Sequence, residues 1–273
     1  MCKLIKMDFY RLFSSKSIKI GALIAVLVSA AYMFLSLGIV ALVKFAIGAD
    51  PSAIVGWGMF ISQAEWINGV DFAEIVFSGT SAFSLFVGCI VAAHFIGAEQ
   101  SCGYAKNFAG QLPDKGHIAI SKFITTSAIQ LIILLIYTVV SVILGALLFG
   151  QYINGYSIGA LLAALGLRAL LYLAINAIIV FLCNVTRSHA IAMVVGCIFG
   201  IGVTKFVYMI ASMLLGVMKV NFNIGDYMPD GINSQLAADT AGELCVKAIV
   251  VSLAFVAVFV AANYFVIKRR DIK

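Results

Sequence analysis

The chain has 273 residues, of which 63% are hydrophobic and 11% charged, and its formal net charge is +6 at pH 7. A soluble domain carries about 25% charged residues, so this composition, with a mean hydropathy of +1.10, excludes a water-soluble globule and predicts an integral membrane protein. The positive excess is then a matter of membrane topology and gives no argument for nucleic acid.

The first 19 residues, MCKLIKMDFYRLFSSKSIK, predict an interfacial amphipathic helix over 1–19. Cys2, Ile5, Phe9, Leu12 and Phe13 fall on one face at helical spacing, with Lys3, Arg11 and Ser14 opposite. Such a helix lies in the headgroup layer with its bases near anionic lipid. The first apolar run is too long for a signal-peptide core and no small-residue cleavage site follows it, so no secretory signal is expected. Cys2 has no apolar segment ahead of it, which argues against a lipoprotein anchor.

Six apolar stretches are long enough to span, at roughly 20 residues each: Ile20–Val43, Ile75–Gly97, Ile118–Phe149, Ile158–Cys183, Ala190–Val217 and Leu244–Ile267. They lack the period-two alternation of barrel strands, so an all-α membrane protein with six transmembrane helices is expected. Placing both termini in the cytoplasm puts 13 of the 18 Lys and Arg inside, and eight of the 12 acids outside, as the positive-inside rule favours. The whole chain, 1–273, then reads as a single transmembrane domain with outer loops at 44–74 and 218–243.

The first outer loop holds both tryptophans, Trp57 and Trp66, which are expected to anchor at the membrane boundary. The second is polar and predicts a turn-rich cap. All three prolines (51, 113 and 229) fall in loops, so no proline kink is expected in a span. In the fifth run, Gly196 and Gly200 form a G-x-x-x-G spacing that permits a close helix contact. The six cysteines make no C-x-x-C pair and read as small hydrophobes, with no disulfide or metal site implied.

Catalytic signals are missing. There is no phosphate-binding G-x-x-x-x-G-K-[ST] loop, no H-E-x-x-H and no G-x-S-x-G. The 12 acids all lie in loops or at span ends, which weighs against a proton- or sodium-coupled carrier. Within the spans, only Arg168 and Lys205 are deep ionisable residues. Each requires a partner or water, because a charge at the bilayer centre costs about 2.5–3.5 kcal/mol or more. Two environments satisfy this requirement. The side chains can snorkel or bond carbonyls and Asn176, or they can line a hydrated substrate path together with Asn176.

The most polar part of the chain is residues 97–123, GAEQSCGYAKNFAGQLPDKGHIAISKF, between the second and third runs. Glu99-x-x-x-Gly103-Tyr104-x-Lys106-Asn107, followed by DKGHIAISK, resembles the permease subunits of bacterial type-2 ABC exporters. That group includes bacitracin-resistance, lantibiotic-immunity and phenol-soluble modulin exporter permeases. The termini, MDFYRLFSSKS and NYFVIKRRDIK, are similar to the group's usual ends. The resemblance implies a cytoplasmic coupling helix within 98–117, where Glu99, Gly103, Tyr104, Lys106, Asn107 and Phe108 meet an ATPase. Tyr104 and Phe108 would form its apolar contact face, with Glu99 and Lys106 as polar rim contacts. Pro113, Asp114 and Gly116 would turn the chain back.

The resemblance further implies no enzyme activity and no cofactor in this chain, since ATP and Mg would sit in the partner. The partners would be two cytoplasmic ATPase subunits, a second permease (identical or homologous) and membrane lipids, in a bacterial cell membrane. The cargo would be amphipathic peptides, including peptide antibiotics or toxins, moved outward. Export of lipids or small drugs is an alternative, as is a non-transport scaffold or sensor subunit.

Overall fold

The computed structural model describes residues 2–47, 72–101, 114–148, 158–186, 188–217, 223–236 and 242–269. All regular structure among them is helical. In chain order the helices are α1 (Cys2–Ser14), α2 (Lys16–Ile47), α3 (Phe72–Ser101), α4 (Gly116–Leu148), α5 (Ile158–Thr186), α6 (His189–Ile201), α7 (Val203–Val217), α8 (Pro229–Gln235) and α9 (Gly242–Arg269), with a 3₁₀ turn at Ile224–Tyr227. Each of the six apolar runs is therefore helical in its described residues. Trp57 and Trp66, and Gly103, Tyr104, Lys106, Asn107 and Phe108, lie outside the described residues.

Three helical stretches are long and apolar enough to cross a membrane: Gly116–Leu144, Leu162–Thr186 and Gly242–Arg269. The number rises to five if α1 with α2, and α6 with α7, each count as one bent span. The stretch Phe83–Glu99 is apolar but shorter. At 33 residues, α4 extends about 50 Å at 1.5 Å per residue, well beyond the hydrocarbon core of about 30 Å.

The fifth run departs from a single straight span, bending by 73° between α6 and α7. The cause is Gly202, which ends α6 in the left-handed region at φ 79. Only glycine adopts that backbone without steric cost, so the break needs no proline. Just before the bend, Gly196 and Gly200 fit the G-x-x-x-G spacing to α3 of the same chain. A Cβ at Gly196 would stand 2.6 Å from the Cβ of Cys89, and one at Gly200 would stand 2.6 Å from the Cα of Phe86.

The core is shared among helix seams. Leu85, Cys89, Ala93 and Ile96 of α3 meet Leu134 of α4, Tyr172, Ile175 and Ile179 of α5, and Ala192 of α6. A second seam joins Leu12 of α1, Ala25 of α2, Val87 and Val91 of α3, and Ile129 and Ile133 of α4. Along α9, Val246, Val250, Leu253, Val258 and Phe265 remain exposed, an apolar face suited to lipid.

The stretch expected as the second outer loop is more than a polar cap. Its described part, 223–236, packs into the bundle, with Ile232, Asp230 and Asn233 buried. Ile232 and Leu236 rest on Leu171 of α5 and Ala248 of α9. Thr204 donates a very short hydrogen bond to Asp230 Oδ2, and Tyr208 Oη donates to Oδ1 at 2.8 Å. These two bonds fasten α8 to α7 beyond the Gly202 bend.

Candidate functional site: a buried ion cluster joining α1, α3 and α4

The first helix and the last turns of α9 both pack against the start of α4, beside the residues that flank 102–113. The first flank is Glu99, in the last turns of α3, and it is 3% exposed. Arg11 Nη1 of α1 donates to its Oε1 at 2.8 Å, and Lys122 of α4 pairs closely with its Oε2. Lys122 Nζ also donates to Asp8 Oδ1 at 3.0 Å, and Ser121 Oγ donates to Asp8 Oδ2 at 2.6 Å. Lys122 further stands 5.9 Å from the centroid of the Phe95 ring, a cation–π distance. Two carboxylates and two cations thus join α1, α3 and α4.

This arrangement reassigns the faces of α1. Its inward face is Leu4, Asp8 and Leu12, four residues apart, all of them buried. Phe9 is only partly buried, and it stacks on an exposed Phe13 at 6.4 Å. Arg11, expected opposite the apolar face, reaches Glu99. The expected apolar face (Cys2, Ile5, Phe9, Leu12 and Phe13) is thus divided: Leu12 is buried against the bundle, Ile5 and Phe9 are partly buried and Phe13 is exposed. Glu99, too, is committed to an internal cluster and does not form an outward rim.

The second flank is Asp114. Its Oδ1 accepts the Gly116 N–H at 2.9 Å, which starts α4 as a side-chain turn would. Tyr264 of α9 donates a very short hydrogen bond to Oδ2, and Lys268 Nζ lies 3.5 Å from the same oxygen. The Tyr264 hydroxyl foremost, then the Gly116 N–H and Lys268, hold this carboxyl below the usual carboxylate range. His117 Nδ1 lies 3.1 Å from the Asp114 carbonyl oxygen.

Of the residues expected to line a substrate path, Arg168 and Asn176 are buried and Lys205 is exposed. Arg168 is 1% exposed within α5, and its Nη2 donates to the Leu236 carbonyl at 3.3 Å. Asn176 lies two turns along the same helix and donates to Thr126 and Ser127 of α4, at 3.0 Å each. Lys205 is exposed on α7, past the bend. For Arg168, then, a backbone carbonyl is one partner. Elsewhere, Asn184 Nδ2 donates to Asn263 Oδ1 at 2.9 Å and ties α5 to α9.

In the sequence alone Arg11 stands out only on the polar face of α1, Ser121 and Lys122 only within DKGHIAISK, and Asp8 only as an N-terminal charge. A signal was present, since Asp8 is the one acid among the N-terminal bases and sits in register with Leu4 and Leu12. Among the described residues, no group of three His, Cys, Asp or Glu could hold a metal ion. Cys89 and Cys183 are buried, and Cys197 and Cys245 partly buried. Chemically, the cluster can fix three helices against one another, but it offers no nucleophile or acid–base pair open to a substrate. No protein-family profile matches the chain, and no curated protein matches it.

Proposed function

We propose that this chain is the permease subunit of a bacterial ATP-driven exporter of the type-2 ABC kind, with both termini cytoplasmic and six passes through the cell membrane. It pairs with a second permease and with two cytoplasmic ATPase subunits that hold ATP and Mg. The observation that carries this reading is the buried Asp8–Lys122–Glu99–Arg11 cluster, which binds α1 and α4 to α3 where the polar segment begins. A lever between a motor and a membrane bundle needs a rigid mount. A buried ion cluster provides one, since separating its members leaves uncompensated charge.

In this mechanism, closure of the ATPases moves segment 98–117, and the cluster passes the motion to three helices together. Gly103, Tyr104, Lys106, Asn107 and Phe108 supply the surface that meets the ATPase. The path re-exposed to the outside takes amphipathic peptides, and Lys205, exposed on α7, is the cation available to meet a peptide carboxylate. The test is co-expression with an ATPase subunit, followed by measurement of peptide-stimulated ATP turnover. Tyr104→Ala is expected to leave the chain inserted while stimulation falls. Full stimulation together with normal co-purification would overturn the coupling role.

A further inference from the structure

The two flanks of residues 102–113 are held by unlike means. At Glu99 the carboxylate side chain is 4% exposed, and both Arg11 and Lys122 bind it. Lys122 is itself only 7% exposed, so little water competes for the pair. At Asp114 the side chain is 24% exposed, and its cation, Lys268, is 52% exposed and 3.5 Å away. An ion pair so open to water and salt adds little. The hold at this flank therefore falls to the Tyr264 hydroxyl and the packing around it.

That packing is specific. Gly116 lies bare against the Tyr264 ring, where a Cβ would stand 2.8 Å from Cζ. Ile267, one turn on, packs against Ile118 and Ala119 of the first turn of α4. Lys268 Nζ stands 5.5 Å from the Tyr264 ring centroid.

We propose that the segment has an unequal mount, fixed at Glu99 and releasable at Asp114, with Tyr264 as the latch and Lys268 as its weak charge partner. In this arrangement the last turns of α9 position the start of α4. A pull on the segment frees the first turn of α4 before it disturbs α3. The functional meaning rests on the coupling role proposed above, while the unequal mount stands on the geometry alone.

The experiment is hydrogen exchange on the purified full chain in lipid nanodiscs, comparing residues 115–118 with residues 96–99. Tyr264→Phe keeps the ring and removes one bond to a charged group. It is expected to speed exchange at 115–118 by about tenfold and to leave 96–99 unchanged. Lys268→Gln is expected to give a smaller effect in the same direction. Unchanged exchange at 115–118 in Tyr264→Phe overturns the latch, and equal acceleration at both flanks overturns the unequal mount. Peptide-stimulated ATP turnover of the assembled complex is read separately. Exchange that behaves as stated with turnover unaffected leaves the mount standing and removes the coupling role.

Discussion

Asp8 and Lys122 are 114 residues apart in the chain and 3.0 Å apart in space, with the Asp8 side chain fully buried. The pair cannot be judged alone, because Lys122 also serves Glu99. Removing the lysine would leave two buried carboxylates short of one cation. Lys122→Gln is therefore expected to cost about 3–5 kcal/mol, the range for breaking a buried pair from one side. Denaturant or thermal unfolding in mild detergent measures it. In Asp8→Asn/Lys122→Gln the costs should fall short of their sum by about 0.5–3 kcal/mol, as for residues of one network. Strict additivity would mean that the cluster does not act as a unit.

The glycines of α6 give a second expectation, of a purely steric kind. Gly200 faces the backbone of Phe86, which cannot swing aside, and Gly196 faces the Cβ of Cys89. Gly200→Ala and Gly196→Ala are each expected to cost about 1–3 kcal/mol by overpacking. Gly166 has open space where a Cβ would go. Gly166→Ala should be neutral or slightly stabilising, since alanine favours a helix by up to about 1 kcal/mol. The three variants, compared by unfolding, separate a close α3–α6 contact from the general presence of glycine in membrane helices.

Much of the architecture was legible because apolar length is a strong signal and every run became helical in its described residues. The Gly202 bend was not, since glycine is common in apolar helices and nothing local distinguishes the one that turns left-handed. The burial of Asp8 on α1 was not legible for a related reason. Hydrophobic periodicity rewards Phe9 and Phe13, whereas the actual contact gives Asp8 the central place, and that carboxylate is satisfied only by residues on other helices. Arg168 was recognised as a residue needing a partner, but its carbonyl partner at Leu236 lies 68 residues away and belongs to a loop. Sequence shows which charges need partners more readily than it shows where those partners are.

Asp114 carries a pH expectation. Its carboxyl is held below the ordinary range, first by Tyr264, then by the Gly116 N–H and Lys268. A depressed carboxylate contributes stability above its unfolded value, and that contribution is lost as pH falls through the folded value. The contact with Tyr264 should therefore be complete at neutral pH and disappear only in acid, below the range where a free aspartate titrates. Carboxyl-carbon NMR of the labelled chain reads the midpoint directly. Tyr264→Phe is expected to move it upward, toward an ordinary aspartate. A midpoint indifferent to that change would show that the hydroxyl does not hold the carboxylate.

Arg168 is buried and Lys205 exposed, so their substitutions should diverge. Arg168 is buried and donates to a backbone carbonyl of the segment that α8 closes. Arg168→Gln removes a charge-assisted bond worth roughly 1.5–3 kcal/mol, and it should loosen 229–236 as read by hydrogen exchange. Lys205 is exposed, next to Thr204, which binds Asp230. Lys205→Gln should leave unfolding within about 0.5 kcal/mol, as for a surface change. If this chain exports peptides as proposed, Lys205→Gln should nevertheless weaken stimulation of ATP turnover by a peptide with a free carboxylate, and should not weaken stimulation by its amide. Equal responses to both peptides would remove Lys205 from the substrate path. Loss of stimulation in Arg168→Gln alone, together with faster exchange at 229–236, would assign that residue to holding the loop in place.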